Sequence, residues 1–199
     1  MRVVILPHGT TELNKQGMIQ GSSVDPDLSE EGRAYAEKAA KNFDPSQFDA
    51  VYASPLKRAQ ETARIFVGNK TPIKTDKRIE ELNYGAWDGK SSFEYRKKYP
   101  DAFNKKGLIT DNIYKYASDV EKREDFRRRI ASFFDDLYQK HENDTVLVVC
   151  HGVVSRMICA HFLTNGDIKC FDQMQNCGLA ELDINQEFGT LVYYNRVLA

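Results

Sequence analysis

Two His-Gly pairs each follow directly on a short apolar run of the sequence. His8-Gly9 comes after residues 3–7, and His151-Gly152 comes after residues 146–150. Ligands of parallel α/β sheets bind at the carboxyl ends of strands, which is where such buried runs end. The spacing therefore predicts that the two imidazoles converge on one pocket from opposite ends of the chain. A single His-Gly pair is weak evidence, so the surrounding residues must support this.

The loop after His8 offers further polar groups. It carries the amides of Asn14 and Gln20, and it contains glycines such as Gly21. Loops of this composition can wrap an anion with backbone N–H groups, as phosphate-binding loops do. An ordinary surface loop after the first strand fits these residues equally well.

Charged side chains follow two later segments. Arg58 lies in the first turn of a helix predicted to start at a strand's carboxyl end, where its planar fork of donors would suit phosphate oxygens. A solvated helix arginine is the alternative. Glu80 and Glu81 are rival candidates for proton transfer, since a dry pocket raises a carboxyl pKa towards the range of a general acid. Both could instead be exposed loop carboxylates.

The remaining sequence predicts the elements that would position these groups. Ser29 and an acidic first turn open an Ala-rich helix that ends near residue 43. Residues 48–53 predict a strand, after which Ser54 caps and Pro55 opens a helix over residues 56–66. Residues 145–150 and 153–163 repeat this strand-turn-helix order. Residues 179–184 and 190–194 predict two strands joined by a polar hairpin containing Gly189.

This alternation predicts an α/β fold, specifically a three-layer α/β/α sandwich with a mostly parallel central sheet. Residues from about 88 to 140 interrupt the alternation and predict a helical insertion followed by a long helix. Insertions between core elements commonly cover the active-site edge of a sheet, so we expect this one to determine substrate selectivity. The whole chain, residues 1–199, is expected to form a single domain.

Composition restricts the partners of the chain. Its 199 residues are 41% hydrophobic and carry a formal net charge of −1, so no global field recruits nucleic acid or an anionic membrane. The sequence opens on a strand and has no apolar stretch near 18 residues, which predicts a cytoplasmic protein. The four cysteines lack C-x-x-C spacing and are expected to be buried free thiols, not a zinc site or a disulfide framework. Nothing in the sequence indicates an oligomeric state.

Six motifs resemble those of the histidine phosphatase superfamily, also called the phosphoglycerate mutase-like family. The family's Arg-His-Gly-Glu-Thr-x-x-Asn is similar to residues 7–14, and its Gln-Gly and Asp-x-x-Leu-Thr-x-x-Gly resemble residues 20–21 and 25–32. Its Ser-Pro-Leu-x-Arg-Ala-x-x-Thr-Ala is present at residues 54–63, and its Val-x-His-Gly at residues 149–152. Its Glu-x-x-x-Gly-x-Trp-x-Gly aligns with residues 81–89, which favours Glu81 over Glu80.

The resemblance implies a mechanism. His8 would attack phosphorus and form a phosphohistidine, while Arg58 and a protonated or donor-ready His151 bind the equatorial oxygens. Glu81 would protonate the leaving oxygen and then activate water. The groups expected to complete the anion site are Asn14, Gln20, Gly21 and Gly152. Fixed cations would make a metal or other cofactor unnecessary, and the expected partner is a small phosphorylated substrate.

Within this family the sequence favours a phosphatase over a phosphoglycerate mutase. The mutases carry Glu-Arg-His-Tyr-Gly where this chain has Glu81-Leu82-Asn83-Tyr84-Gly85. The missing basic pair would have engaged a substrate carboxylate or a second phosphate. The segment over residues 81–89 looks like that of broad-specificity and ribazole-phosphate-type members, which does not identify the substrate.

The first motif departs from the family at Pro7, where a phosphate-binding arginine is expected. Proline has neither a charge nor a backbone N–H, so one ligand of the phosphate is missing. Three explanations remain open. A basic residue such as Lys15, Lys90 or Arg156 could occupy the position, although Arg156 could instead face helix packing. Otherwise the protein is a weak phosphatase for a substrate that supplies its own cation, or an inactive protein that binds a phosphorylated ligand or partner.

Overall fold

A computed structural model describes residues 1–185 and 188–199. Six strands form one sheet in the order β3-β2-β4-β1-β5-β6. They are β1 (Arg2–Pro7), β2 (Ala50–Ala53), β3 (Lys74–Thr75), β4 (Thr145–Cys150), β5 (Leu179–Ile184) and β6 (Gly189–Arg196). The pairs β1–β4, β2–β4 and β2–β3 are parallel, whereas β1–β5 and β5–β6 are antiparallel. The sheet is thus mixed, with a parallel half that contains both His-Gly strands.

Six α-helices accompany the sheet in the described part of the chain. They are α1 (Glu12–Lys15), α2 (Glu30–Ala40), α3 (Lys57–Val67), α4 (Ser92–Lys98), α5 (Arg123–His141) and α6 (Gly152–Leu163). None of the helices in these residues is both long and apolar enough to cross a membrane.

Alternation along the central strands divides the core into two layers. Val3 and Ile5 of β1 pack into one core with the apolar sides of α5 and α6, whereas Val4 and Leu6 pack into another with α2 and α3. Successive side chains of a strand point to opposite faces, so a fully apolar strand must be covered on both. The three-layer α/β/α prediction is therefore confirmed.

Some predicted boundaries were wrong by a few residues. The Ala-rich helix begins after its predicted cap, Ser29, whose Oγ accepts the Gly32 N–H at 2.9 Å, but it ends at Ala40. Helix α3 starts at Lys57, with Leu56 at the N-cap position and no side-chain cap from that residue. Asp25 Oδ1 instead accepts the Lys57 N–H at 2.8 Å. Ser54 lies two residues before the N-cap position, where its Oγ accepts the Leu56 N–H at 3.3 Å and also contacts a second partner, described below.

The insertion is less helical than predicted. Between α4 and α5 the chain forms only short 3-10 turns, at Pro100–Ala102 and Asp111–Lys115. This segment is anchored by stacked aromatic rings, since Trp87 lies 5.3 Å from Tyr99 and 5.8 Å from Phe103 between ring centroids. Aromatic packing of this kind supplies burial without a helix. The insertion thus presents loop residues to the sheet edge.

The remaining predictions concern the last strands and the cysteines. Strands β5 and β6 form the predicted antiparallel pair, with Gly189 as the first residue of β6. Part of the predicted hairpin turn, residues 186–187, lies outside the described residues. Cys150, Cys159 and Cys177 are buried free thiols as predicted, but Cys170 is exposed because it ends a short surface turn.

Candidate active site

A cavity of about 330 Å³ opens where the parallel strands β1 and β4 end. His8 and Glu81 line it together with Asn14, Gln20 and Gly152. The insertion contributes Gly107, Leu108 and Ile109 to its wall. Residues far apart in the chain therefore meet at the sheet edge that the sequence predicted.

The two predicted imidazoles converge. Strands β1 and β4 are paired with Pro7 opposite Cys150, so His8 and His151 emerge side by side. Their ring centroids lie 5.2 Å apart in an edge-to-face arrangement. His8 is 6% exposed and lines the cavity, whereas His151 is fully buried behind it.

The hydrogen bonding of His8 determines which nitrogen is available. Its Nδ1 lies 2.7 Å from the carbonyl oxygen of Gly9, so Nδ1–H donates to that oxygen. Nε2 then carries the lone pair and has no protein partner among the described residues. Burial, with the nearby charge of Arg58, lowers the pKa of His8 to about 3. The ring is therefore neutral at neutral pH, the form that a nucleophile requires.

His151 is held by its other nitrogen. Nε2 lies 2.7 Å from Ser54 Oγ, while the buried Nδ1 has no hydrogen-bond partner in the described chain. Burial, followed by the charge of Arg58, lowers the pKa of His151 well below its ordinary value. Of the two forms considered from sequence, the donor-ready neutral ring therefore fits the unliganded protein better than the protonated one.

Arg58 is fully buried, and its charge acts on both imidazole rings. Its Nη1 donates to the Val24 carbonyl at 2.8 Å and its Nη2 to the Gly21 carbonyl at 3.1 Å. Its Nε is buried without a partner among the described residues. Among the described residues its one ion-pair contact is with Asp25, at 3.9 Å, while the charges of Glu81 and Asp88 also act on it. The unpartnered Nε–H leaves the guanidinium a donor for a bound anion.

The structure separates the two carboxylate candidates. Glu81 is 6% exposed and lines the cavity, whereas Glu80 lines a different surface depression. Glu81 accepts the backbone N–H of Leu82 at 2.9 Å and that of Val153, in the first turn of α6, at 3.1 Å. Burial raises the pKa of Glu81 above its ordinary value although these hydrogen bonds oppose the shift. A raised pKa is what a general acid needs.

Two of the predicted anion-binding groups lie on the cavity wall with donors to offer. Thr11 Oγ1 lies 2.8 Å from Gln20 Oε1, and the buried Nε2 of Gln20 has no partner among the described residues. Asn14 Oδ1 accepts the Thr11 N–H at 3.1 Å. Both amide oxygens are thus occupied by the protein, which directs the amide N–H groups elsewhere.

The two predicted glycines differ in position. The N–H of Gly21 is taken by Asp88 Oδ1 at 2.7 Å and its carbonyl by Arg58, and Gly21 is absent from the cavity wall. Gly21 therefore positions Arg58. Gly152 does line the cavity, and a Cβ there would stand 1.7 Å from the side-chain nitrogen of Gln173. A side chain at this position would have to displace the Gln173 amide from the cavity wall.

Sequence reasoning missed several supporting residues. Thr62 Oγ1 accepts the Gly9 N–H at 2.9 Å, and Thr62 lies four residues after Arg58, one helical turn along α3. Arg129 of α5 donates to the carbonyls of Glu80 and Glu81 at 2.7 and 3.1 Å, which fixes the segment carrying Glu81. The helical spacing from Arg58 could have indicated Thr62. No local signal indicated Arg129, because it acts from the distant insertion helix.

None of the three proposed substitute cations lines the cavity that Pro7 lines. Pro7 lines the cavity, but in the described residues no lysine or arginine does. Lys15 is exposed and pairs with Glu31 at 2.7 Å. Arg156 lines a neighbouring cavity, and Lys90 lines neither. The substitute-cation explanation therefore finds no support in this arrangement.

A buried guanidinium, a neutral imidazole with a free lone pair and a carboxyl of raised pKa suit the chemistry of a phosphate ester. The sequence model of the histidine phosphatase superfamily (branch 1) matches residues 3–197 of the chain. The putative phosphoserine phosphatase 2 of Hydrogenobacter thermophilus is 27% identical over 98% of this chain and 96% of its own length. The adenosylcobalamin/alpha-ribazole phosphatase of Escherichia coli is 26% identical, over 98% and 96%.

Solved structures agree with the sequence comparison. The Bacillus stearothermophilus protein YhfR superposes with a TM-score of 0.83 at 28% identity, covering 98% of this chain and 97% of that one. The chain belongs to the histidine phosphatase superfamily. The predicted enzyme class, a phosphomonoesterase, is confirmed by the phosphatase names of these relatives.

Proposed function

We propose that the protein hydrolyses a phosphomonoester of a small metabolite through a phosphohistidine at His8 Nε2, without a metal. The observation that carries this proposal is the state of the His8 ring. Its Nδ1–H is held by the Gly9 carbonyl, and its Nε2 lone pair faces the cavity beside a buried arginine. A nucleophile needs this tautomer, since only an unprotonated nitrogen can attack phosphorus.

In the first step, His8 Nε2 forms a bond to phosphorus and the ester P–O bond breaks. The electron pair stays on the leaving oxygen, which takes the proton of the Glu81 carboxyl. The Nε–H of Arg58, a ring N–H of His151 and the Gln20 amide donate to the phosphoryl oxygens as their charge redistributes. All three donors are among the buried polar groups that have no protein partner in the described part of the chain.

In the second step, the Glu81 carboxylate takes a proton from water, and the water oxygen attacks phosphorus. The N–P bond breaks, and its electron pair returns to Nε2. Glu81 is protonated again and inorganic phosphate is released. The N-terminus of α6 supports both steps because its dipole stabilises negative charge near Gly152. Fixed cations and dipoles thus take the place of a metal in this scheme.

Turnover of p-nitrophenyl phosphate and a panel of small phosphate monoesters in EDTA tests this proposal. We expect hydrolysis in the wild-type protein and its loss in His8→Ala, with Lys15→Ala as a control for an exposed charge change nearby. No turnover of any ester by the wild-type protein, with phosphate still bound, would favour a phospholigand-binding protein instead. Dependence on an added divalent cation would contradict the metal-free scheme.

A further inference from the structure

A second cavity, of about 360 Å³, lies beside the candidate active site, and we call it the side chamber. It shares wall residues with the cavity that holds His8. The shared residues are Tyr84, Leu108, Ile109, Val153 and Gln173. Because five residues belong to both walls, a small molecule whose phosphate lies against His8 can extend into the side chamber.

Three cations line the side chamber, and Arg156 is the most buried of them. It is 6% exposed, and its Nε and Nη2 donate to the carbonyls of Phe171 and Ile168 at 2.9 and 3.1 Å. In the described chain no carboxylate lies within ion-pair distance of it, and its Nη1 has no protein partner. A buried charge without a counter-charge is costly, so its presence on a cavity wall indicates a ligand of opposite charge.

Arg123 presents a second unused donor. Its Nε and Nη2 both lie 3.1 Å from Asp111 Oδ1, whereas its Nη1 is buried and has no partner among the described residues. Lys169 is an exposed residue on the wall of the side chamber, and it forms no ion pair with the described residues. The side chamber therefore keeps donors on two guanidinium groups and an ammonium group.

The acidic residues of the side chamber limit the charge of the group it would hold. Asp111 is paired with Arg123, and Asp101 contacts Lys115 at 3.5 Å and accepts the Tyr116 hydroxyl at 2.7 Å. Within residues 1–185 and 188–199, the charges of Arg156 and Lys169 are the ones on this wall that form no ion pair. Two carboxylates on the same wall oppose a dianion, while a single planar anion matches the guanidinium fork.

We propose that the side chamber binds a carboxylate of the substrate, so that the preferred substrates are phosphomonoesters of small hydroxy carboxylic acids. This inference rests on the proposed phosphatase function. The phosphate lies against His8 and Arg58, and the carboxylate lies against Arg123 and Arg156. Gln173 lies on the wall that both cavities share and contacts the part of the molecule between the two groups.

O-Phosphoserine and phosphoethanolamine test the proposal, since they differ only in the carboxylate. We expect the ratio of their kcat/KM values to exceed about 10 in the wild-type protein, as a charge-assisted hydrogen bond provides. Arg123→Met is expected to lower this ratio about tenfold or more, and Lys169→Gln about threefold. Arg128→Met is the matched control, because it removes an exposed arginine from the same helix and leaves the ratio unchanged.

A ratio near one in the wild-type protein would overturn the proposal, and so would unchanged ratios in folded Arg123→Met and Lys169→Gln. A preference for 1,3-propanediol bisphosphate over O-phosphoserine would overturn the carboxylate assignment. Calorimetric Kd values for O-phosphoserine and phosphoethanolamine separate this proposal from the phosphatase. Selective binding without hydrolysis contradicts only the proposed function, whereas hydrolysis with equal affinities contradicts only the carboxylate subsite.

Discussion

The ends of β1 and β4 carry the same His-Gly pair in register, yet the two histidines are bound differently. His8 donates from Nδ1 to a backbone carbonyl and leaves Nε2 open to the cavity. His151 is held through Nε2 by Ser54 and is fully buried. The same backbone position thus suits a nucleophile or an oxyanion ligand, depending on which ring nitrogen the protein occupies.

The segments that follow also differ. After His8 the chain enters a loop and the short helix α1, whereas Gly152 opens the twelve-residue helix α6. A helix N-terminus supplies positive partial charge, which the loop does not. The β1 end lacks the family's arginine as well, because Pro7 stands there. The His-Gly pair after β1 therefore contributes the nucleophile, and the His-Gly pair after β4, with helix α6, contributes most of the electrostatic support.

The largest expected effect distinguishes the two histidines. His8→Ala removes the nucleophile and is expected to lower kcat about 10⁴-fold or more. His151→Ala removes one oxyanion ligand and is expected to lower kcat about 10²- to 10³-fold. Steady-state kinetics on p-nitrophenyl phosphate, with circular dichroism as the folding control, measure both. Equal losses in the two variants would contradict the division of roles.

The next effect concerns Glu81, whose carboxylate is held near the second His-Gly pair by its hydrogen bond from the Val153 N–H in α6. Glu81→Gln is expected to lower kcat about 10²- to 10⁴-fold on alkyl phosphates, since their leaving oxygen needs a proton. The loss should be smaller on p-nitrophenyl phosphate, whose leaving group needs none. Glu80→Gln, at a residue outside this cavity, is the matched control.

The pH profile provides an independent check on the same groups. A raised Glu81 pKa keeps the acid form above the ordinary carboxyl range, so activity should fall only as pH rises through that value. The His8 pKa, lowered to about 3, places the loss of the nucleophile far below the ordinary imidazole range. We therefore expect no acid limb near pH 6.5 after correction for substrate ionisation. An acid limb near pH 6.5 that remains after this correction would contradict a neutral His8.

Substitution of Pro7 tests whether the site at the end of β1 lacks a positive charge that catalysis needs. Pro7→Arg places at the cavity wall the positive charge that the family's arginine carries. We expect it to raise kcat/KM at least about tenfold, the effect of one charge-assisted hydrogen bond on the transition state. Pro7→Met, which has a similar length and no charge, separates charge from backbone effects. An unchanged or lower kcat/KM in Pro7→Arg would show that the site does not need that cation.

The smallest expected effect concerns the partner that orients His151. Ser54→Ala removes the hydrogen bond to Nε2 and is expected to lower kcat/KM about 2- to 10-fold, as for one neutral hydrogen bond. Ser46→Ala, at an exposed serine, is the control. A loss as large as that of His151→Ala would mean that Ser54 itself takes part in the chemistry.

The sequence was most informative where local pattern decides structure. Strand β4 was predicted with the bounds that the structure has, since a continuous apolar run between polar residues has few alternatives. The convergence of His8 and His151 followed from the rule that parallel strands carry ligands at their carboxyl ends.

Long-range packing explains what the sequence did not reveal. Ser54 was interpreted only as a helix cap. Its contact with His151 was missed because the two residues lie 97 positions apart in the sequence. The side chamber depends on Arg123 and Arg156, which come from two helices and a geometry that no local spacing records. The sequence predicted a helical insertion followed by a long helix, but aromatic stacking packs residues 99–116 with only short 3-10 turns.

Trapping of the phosphoenzyme would show directly which residue is the nucleophile. Rapid quench of the protein with a labelled phosphomonoester under alkaline conditions, followed by peptide mapping by mass spectrometry, locates the phosphoryl group. We expect an acid-labile phosphohistidine at His8, present in Glu81→Gln and absent in His8→Ala. Label on His151, or steady turnover with no label on any histidine, would contradict the assignment of His8 as the nucleophile.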